Sequence, residues 1–216
     1  MSTENPIFPY QNLFITARPG AGASTLAASI VKRYLDEGKK CLVFEAATCC
    51  GLTYTERLEI ANGNLDIYKI RPRVIENGNL VVVYDFCFEY EMLLKLRDKY
   101  NADVVVYEAP RDLREVEQEV ILLAEKLKNA GKAFIFITHL RRVEHPFTRA
   151  QGHTPSASQH SGAIPCFDAV AVIYREAYYN EGRGEIEEIR IYERGRRKYH
   201  AVPVEFDFQH QRVKRK

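Results

Sequence analysis

The strongest constraint on the fold is an alternation of short apolar runs with amphipathic segments along most of the chain. Within one of these segments the apolar residues are spaced by three and four, as in a helix with one buried face: Leu113, Val116, Val120, Leu123 and Leu127. Apolar strands separated by helices are typical of a parallel sheet covered on both faces. The sequence therefore predicts an α/β fold with a mostly parallel central sheet.

The pattern predicts individual elements along the chain. Strands are expected at 12–16, 40–45, 65–70, 80–86, 103–108 and 133–138, and helices at 25–36, 55–61, 89–100 and 112–130. A polar segment at 140–165, rich in Ser, His, Gly and Pro, predicts a long functional loop. Three further strands, at 168–174, 186–193 and 201–208, have no helices between them. They predict an antiparallel C-terminal extension of the sheet.

Length and charge suggest one domain in a soluble protein. The 216 residues fit an N-terminal extension at 1–11, a domain at 12–208 and a basic C-terminal tail at 209–216, which could equally be disordered. The net charge of +2 is too small to imply nucleic-acid binding by itself. No apolar run reaches the roughly 20 residues of a membrane helix, and no signal-peptide pattern begins the chain, so we expect no membrane and a cytoplasmic location. The five cysteines are expected to be reduced.

Residues 17–25, here called the phosphate loop, join the first predicted strand to the first predicted helix. Glycines at such a turn let backbone amides surround a phosphate, and the helix N-terminus adds partial positive charge. The nucleotide-binding candidates are Gly20, Ala21, Gly22, Ala23, Ser24 and Thr25. The full Walker A motif has a lysine before its Ser/Thr, and this sequence has Ala23 at that position.

Two other interpretations of the phosphate loop remain open at this point. Gly20 and Gly22 half-match the dinucleotide fingerprint, with Glu45 at the ribose-binding position after the second strand, although the third glycine is missing. That match would make the chain a dinucleotide-binding enzyme. The loop could also be a purely structural tight turn.

Several segments together resemble the RecA-fold motor domain of DnaB-type replicative helicases, including the phage primase–helicase and Twinkle branches. The segments are Ala17-Arg-Pro-x-x-Gly22-x-Ser24, Val104-Val-Val-Tyr-Glu108, Ile135-Phe-Ile-Thr-His139-Leu140, Ser161-Gly-Ala-Ile164 with the strand after it, and Glu193-Arg194-Gly195. They span almost the whole chain in the family's order. The resemblance implies a RecA-like P-loop fold that binds ATP or another nucleotide with magnesium.

The resemblance also implies roles for particular residues. Ser24 and Glu108 would hold magnesium, His139 would sense the outer phosphate, and Arg194 would be an arginine finger offered to a neighbouring subunit. Single-stranded DNA, further copies of the chain or a helicase partner are the implied partners. Basic residues of the long loop are the DNA-binding candidates: Arg141, Arg142 and Arg149.

Departures from the family pattern concern the charges that catalyse hydrolysis. Ala23 replaces the loop lysine, Ala47 stands where the family has its catalytic glutamate, and 157–159 replace a charged stretch of the DNA loop. Each lost preorganised charge typically costs about 10²- to 10³-fold in rate. We therefore expect a degenerate module that binds nucleotide, DNA or a replication partner without efficient hydrolysis; the alternative is an active ATP-dependent DNA helicase.

Overall fold

The computed structural model describes residues 10–17, 20–46, 73–85, 90–109, 113–139, 164–176, 186–196, 198–209 and 212–216. The strands are β1 (Asn12–Ala17), β2 (Cys41–Ala46), β3 (Arg73–Asn77), β4 (Leu80–Asp85), β5 (Val104–Glu108), β6 (Ala133–His139), β7 (Ala169–Arg175), β8 (Glu187–Glu193), β9 (His200–Asp207) and β10 (Arg212–Arg215). The helices are α1 (Ala23–Asp36), α2 (Tyr90–Tyr100) and α3 (Leu113–Asn129), with a 3₁₀ turn at Ile164–Cys166.

The ten strands form one sheet in the order β10-β9-β8-β7-β1-β6-β5-β2-β4-β3. The six strands from β7 to β4 in this order are mutually parallel, and β3, β8, β9 and β10 pair antiparallel. The predicted α/β class, with a mostly parallel sheet and an antiparallel C-terminal extension, is confirmed. The helix predicted at 55–61 and the strand predicted at 65–70 lie outside the described residues.

Two apolar clusters cover the two faces of the sheet. One packs α1 against β1, β6 and the C-terminal strands, and includes Leu26, Ile30 and Val204. The other packs α2 and α3 against the opposite face, around Phe14 and Phe136. Strand β1 lies between them and is buried throughout, because its NLFITA sequence presents apolar side chains to both faces.

Two strands were missed because the sequence signal for each is weak. Strand β3 forms a tight hairpin with β4 through Gly78 and Asn79, and all of its described side chains are exposed. Strand β10 pairs with β9, and its Val213 is buried beside α1. Arg212–Arg215 are therefore ordered in the sheet, so disorder is the wrong interpretation of these residues. One inward valine among basic residues does not form a recognisable strand pattern.

Parallel strands bring the ends of β1, β2, β5 and β6 to one edge of the sheet. The register aligns Ala17 with His139 and Glu45 with Glu108. The phosphate loop follows β1 at this edge, which is where ligands bind in open α/β sheets. No helix among the described residues is long and apolar enough to cross a membrane.

Candidate functional site

The phosphate loop enters α1 through glycines in backbone conformations that other residues rarely adopt. Gly20 has φ 80° and Gly22 has φ 112°. Gly22 is the N-cap of α1, and the helical hydrogen bonds begin with the Leu26 amide donating to the Gly22 carbonyl at 2.9 Å. The amides of a first helical turn precede this ladder and point along the axis, so they can bind an anion.

Ser24 and Glu108 are brought together at the start of α1. The Ser24 hydroxyl donates a 2.8 Å hydrogen bond to Glu108 Oε1. Ser24 is exposed and Glu108 is half-buried at the end of β5, so both oxygens border solvent. A hydroxyl and a carboxylate are the hard oxygen ligands that magnesium uses together with substrate phosphates. The residue types and their proximity therefore fit a magnesium site.

A second carboxylate lies beside this pair. Glu45 on β2 is the register partner of Glu108 on β5. Partial removal of water from the Glu45 carboxyl, followed by repulsion from Glu108, raises its pKa above the ordinary value. Residues 20–25 carry no charged side chain, and Ala23 is buried in the α1 cluster. This part of the loop therefore supplies backbone dipoles but no side-chain cation.

An aromatic pair packs against the phosphate loop from the C-terminal strands. A Cβ atom added to Gly22 would lie 2.7 Å from Phe206 Cε1 and 3.4 Å from Phe208 Cε1. The two rings stack, with centroids 5.6 Å apart and planes at 13°. The Arg175 guanidinium lies 4.7 Å from the Phe208 centroid and its Nε donates to Glu187 at 2.7 Å. Gly22 thus adjoins an aromatic surface with a fixed cation.

Sequence reasoning missed the contact of Phe206 and Phe208 with the loop. The alternation of Val202, Val204 and Phe206 predicts only that these side chains share one face of β9. Their contact with Gly22 joins positions more than 180 residues apart in a sequence of 216, so periodicity could not predict it. It depends on β9 and α1 lying on the same side of the sheet.

The other predicted site residues are distributed unevenly. His139 ends β6 opposite Ala17, so its backbone is at the phosphate-loop edge; its side chain, like Arg141, Arg142 and Arg149, lies outside the described part of the chain. Arg194 follows β8, where its amide donates to the Asp168 carbonyl before β7 begins. It is therefore at the opposite edge, about 15–20 Å from the loop by the length of β1.

The sheet order rules out the dinucleotide interpretation. That fold places the first two strands side by side, so that the acidic residue after the second strand reaches the ribose. Here β6 and β5 separate β1 from β2. Glu45 is displaced from β1 by about 14 Å, three strand spacings, and the dinucleotide-enzyme alternative is therefore wrong.

Comparison with solved structures reveals a relation in fold. The chain superposes on a solved structure of the ATPase domain of a DnaB-like helicase with a TM-score of 0.63 and 16% sequence identity, covering 94% of this chain and 83% of that one. This chain has a RecA-like α/β fold. No family model matches the sequence. No curated protein matches it either.

Proposed function

We propose that this chain is a DnaB-helicase-like RecA-fold module that binds a magnesium–nucleotide complex at the phosphate loop without hydrolysing it efficiently. The observation that carries the proposal is the 2.8 Å hydrogen bond between Ser24 and Glu108 at the N-terminus of α1. It joins the two predicted magnesium ligands beside a helix end suited to phosphate. Similarity in fold to an ATPase domain supports the same class of ligand.

Each part of the site would have a defined task. First-turn amides of α1 would bind the phosphate oxygens, and Ser24 and Glu108 would hold magnesium, which neutralises charge on those oxygens when bound. The exposed side of Phe208, held beside the loop by Phe206 and Arg175, would pack against the base. His139 would contact the outer phosphate from the end of β6.

Hydrolysis would be slow because two charges of the family's site are missing. Ala23 cannot stabilise charge on the transferred phosphoryl group, and Ala47 cannot orient water. Two losses of about 10²- to 10³-fold each leave turnover close to the uncatalysed rate. Arg194 lies at the edge opposite the loop, so as an arginine finger it would act on a second copy of the chain.

Nucleic-acid binding is the second part of the proposal. Arg141, Arg142 and Arg149 in the long loop would contact phosphates of single-stranded DNA without reading sequence. Reversing the charge of Arg141 and Arg142 should then abolish binding through this loop. Unchanged DNA affinity in that double variant would contradict the role of the loop.

Calorimetric titration with ATP in the presence of magnesium tests the nucleotide site directly. We expect saturable binding that Ser24→Ala weakens, because this variant removes one magnesium ligand, with phosphate release near background even when single-stranded DNA is present. Turnover at about 1 s⁻¹ or faster would favour the active-helicase alternative. Absence of any ATP binding would overturn the proposal and favour a structural turn.

A further inference from the structure

The α2/α3 face of the C-terminal strands is not covered by any described helix. Helix α1 packs on the opposite face, against Ile191, Val204 and Val213. Side chains on the uncovered face follow from the strand register: Tyr174 on β7, Glu188, Arg190 and Tyr192 on β8, Ala201, Pro203 and Glu205 on β9, and Arg212 and Lys214 on β10. These residues, with Lys198 and Tyr199 at the start of β9, are here called the C-terminal face.

An ordered aromatic cluster occupies the centre of the C-terminal face. The Arg190 guanidinium lies 4.1 Å from the Tyr174 centroid and 5.2 Å from the Tyr199 centroid. The rings of Tyr192 and Tyr199 are 5.2 Å apart. Arg190 Nε donates to Glu188 at 2.6 Å, and the Arg190 side chain is only 13% exposed. Arg190 is thus fixed by its neighbours and holds the tyrosines in place.

Tyr199 is the accessible member of this cluster. It is 44% exposed, although large aromatic side chains in this sheet are otherwise mostly buried. Contacts with Arg190 and Tyr192 restrict its motion, so a planar ligand stacking on it would lose little of its affinity to ordering of the side chain. An immobilised and exposed aromatic ring is the element that stacks on a base in sequence-tolerant nucleic-acid binding.

Cations surround the aromatic cluster. Between Glu188 and Lys216 the described residues carry eight basic and four acidic side chains. Glu188 is paired with Arg190, and Glu205 is opposite Lys214 in the register, so part of the negative charge is compensated locally. Lys198, Arg212 and Lys214 are exposed. The net charge here is positive, which complements a polyanion.

We infer that the C-terminal face binds single-stranded nucleic acid, with a base stacked on Tyr199 and phosphates near Lys198, Lys214 and Arg212. A nucleotide presents a flat apolar ring next to an anion, and this surface presents a flat exposed ring next to cations. An acidic peptide would use the cations alone. The surface lies across the sheet from α1 and is separate from the long loop, so it goes beyond the proposed function and needs no nucleotide at the phosphate loop.

Fluorescence anisotropy with a labelled oligothymidylate and nucleotide-free protein tests the inference. We expect Tyr199→Ala to weaken binding by about ten-fold and Tyr199→Phe to leave it nearly unchanged, because stacking needs the ring and not the hydroxyl. Lys214→Glu should weaken binding and flatten its salt dependence. Lys39→Glu is the matched charge reversal, since Lys39 is exposed after α1 and away from this face; it should change affinity much less.

Two further measurements distinguish base stacking on this surface from binding by charge alone and from binding at the long loop. An abasic oligonucleotide should bind more weakly than oligothymidylate, and Tyr199→Ala should not weaken it further. Repeating the Tyr199→Ala comparison with Arg141→Glu and Arg142→Glu present distinguishes failure of this surface from failure of the long-loop site. Equal affinity of Tyr199→Ala and the unmodified protein, or full competition by polyglutamate at equal charge, would overturn the inference. Thermal unfolding of each variant checks that the fold is retained.

Discussion

The hydroxyl of Ser24 donates a hydrogen bond of 2.8 Å to the carboxylate of Glu108, across 84 residues of sequence. Ser24 is in the first turn of α1 and Glu108 ends β5, two strands away from β1 in the sheet. The contact forms because parallel strands end at one edge and α1 begins there. It concentrates hydroxyl and carboxylate oxygens beside the helix N-terminus, where residues 20–25 supply no cationic side chain.

Restoring a lysine at position 23 should separate nucleotide binding from hydrolysis. A lysine reaching a bound phosphate adds a charge-assisted hydrogen bond, so Ala23→Lys is expected to raise ATP affinity by about ten-fold. Hydrolysis should remain slow, because Ala47 still supplies no carboxylate. Ala23→Met controls for side-chain length without charge. Calorimetry and phosphate release provide the two measurements, and rapid turnover in the lysine variant would show that Ala47 does not limit the reaction.

Adding a methyl group at Gly22 should destabilise the protein because of Phe206. The variant Gly22→Ala suffers both a positive φ of 112° and a Cβ only 2.7 Å from Phe206 Cε1. We expect a loss of about 2–4 kcal/mol in the free energy of unfolding, measured with urea. Gly38→Ala is the matched control, since Gly38 has φ 76° but no atom within 4 Å of an added Cβ. It should cost only about 1 kcal/mol.

The Gly22 effect can be assigned to the aromatic ring with a second substitution. Phe206→Leu removes the nearest ring atom, so the double variant Gly22→Ala/Phe206→Leu should be more stable than the two single losses predict. A positive coupling of about 1 kcal/mol is expected. Strict additivity would mean that the phosphate loop relaxes away from Phe206 at no cost.

The Glu45 carboxyl should report on the charge of Glu108. Its pKa is raised by partial desolvation and then by repulsion from Glu108. Glu108→Gln should therefore lower the Glu45 pKa without returning it fully to the ordinary value, since the desolvation remains. Carboxyl carbon NMR titration measures this, and Glu91→Gln on the exposed start of α2 is the control that should have no effect on Glu45.

The same raised pKa predicts a pH-dependent gain in stability. A carboxyl whose pKa is higher in the folded than in the unfolded state opposes folding at neutral pH, and this penalty disappears as the pH falls through the folded-state pKa. Glu45→Gln should therefore raise the free energy of unfolding at about pH 7, and the gain should vanish by about pH 4. An equal gain at both pH values would point to packing instead of charge.

Cys41 should react slowly with thiol reagents in the native protein. Burial raises the pKa of its thiol to about 12, with a smaller contribution from Asp103. Because the thiolate is the reactive form, little of it is present at about pH 8. Mass spectrometry after iodoacetamide labelling should find Cys41 unmodified until urea unfolds the chain. Complete labelling of Cys41 under native conditions would show that the end of β2 opens readily.

Local patterns predicted most of the described elements within one or two residues. The spacing of Val120, Leu123 and Leu127 predicted α3, and the continuous apolar run of β1 predicted a strand buried on both sides. These patterns work because helices and strands repeat over a few residues. Strand β3 has exposed side chains throughout its described part and β10 has one inward valine, so neither carries a period from which it could be predicted.

The sequence by itself determined the α/β class, the glycine turn after β1 and the absence of a lysine at Ala23, since each depends only on neighbouring residues. The tertiary structure alone decided that Glu108 contacts Ser24, that Phe206 lies against Gly22, and that β6 and β5 separate Glu45 from β1. Those relationships depend on strand order, because the order determines which strand ends and which helix side become neighbours. Strand order results from long-range packing of the whole sheet, which no local pattern of residues encodes.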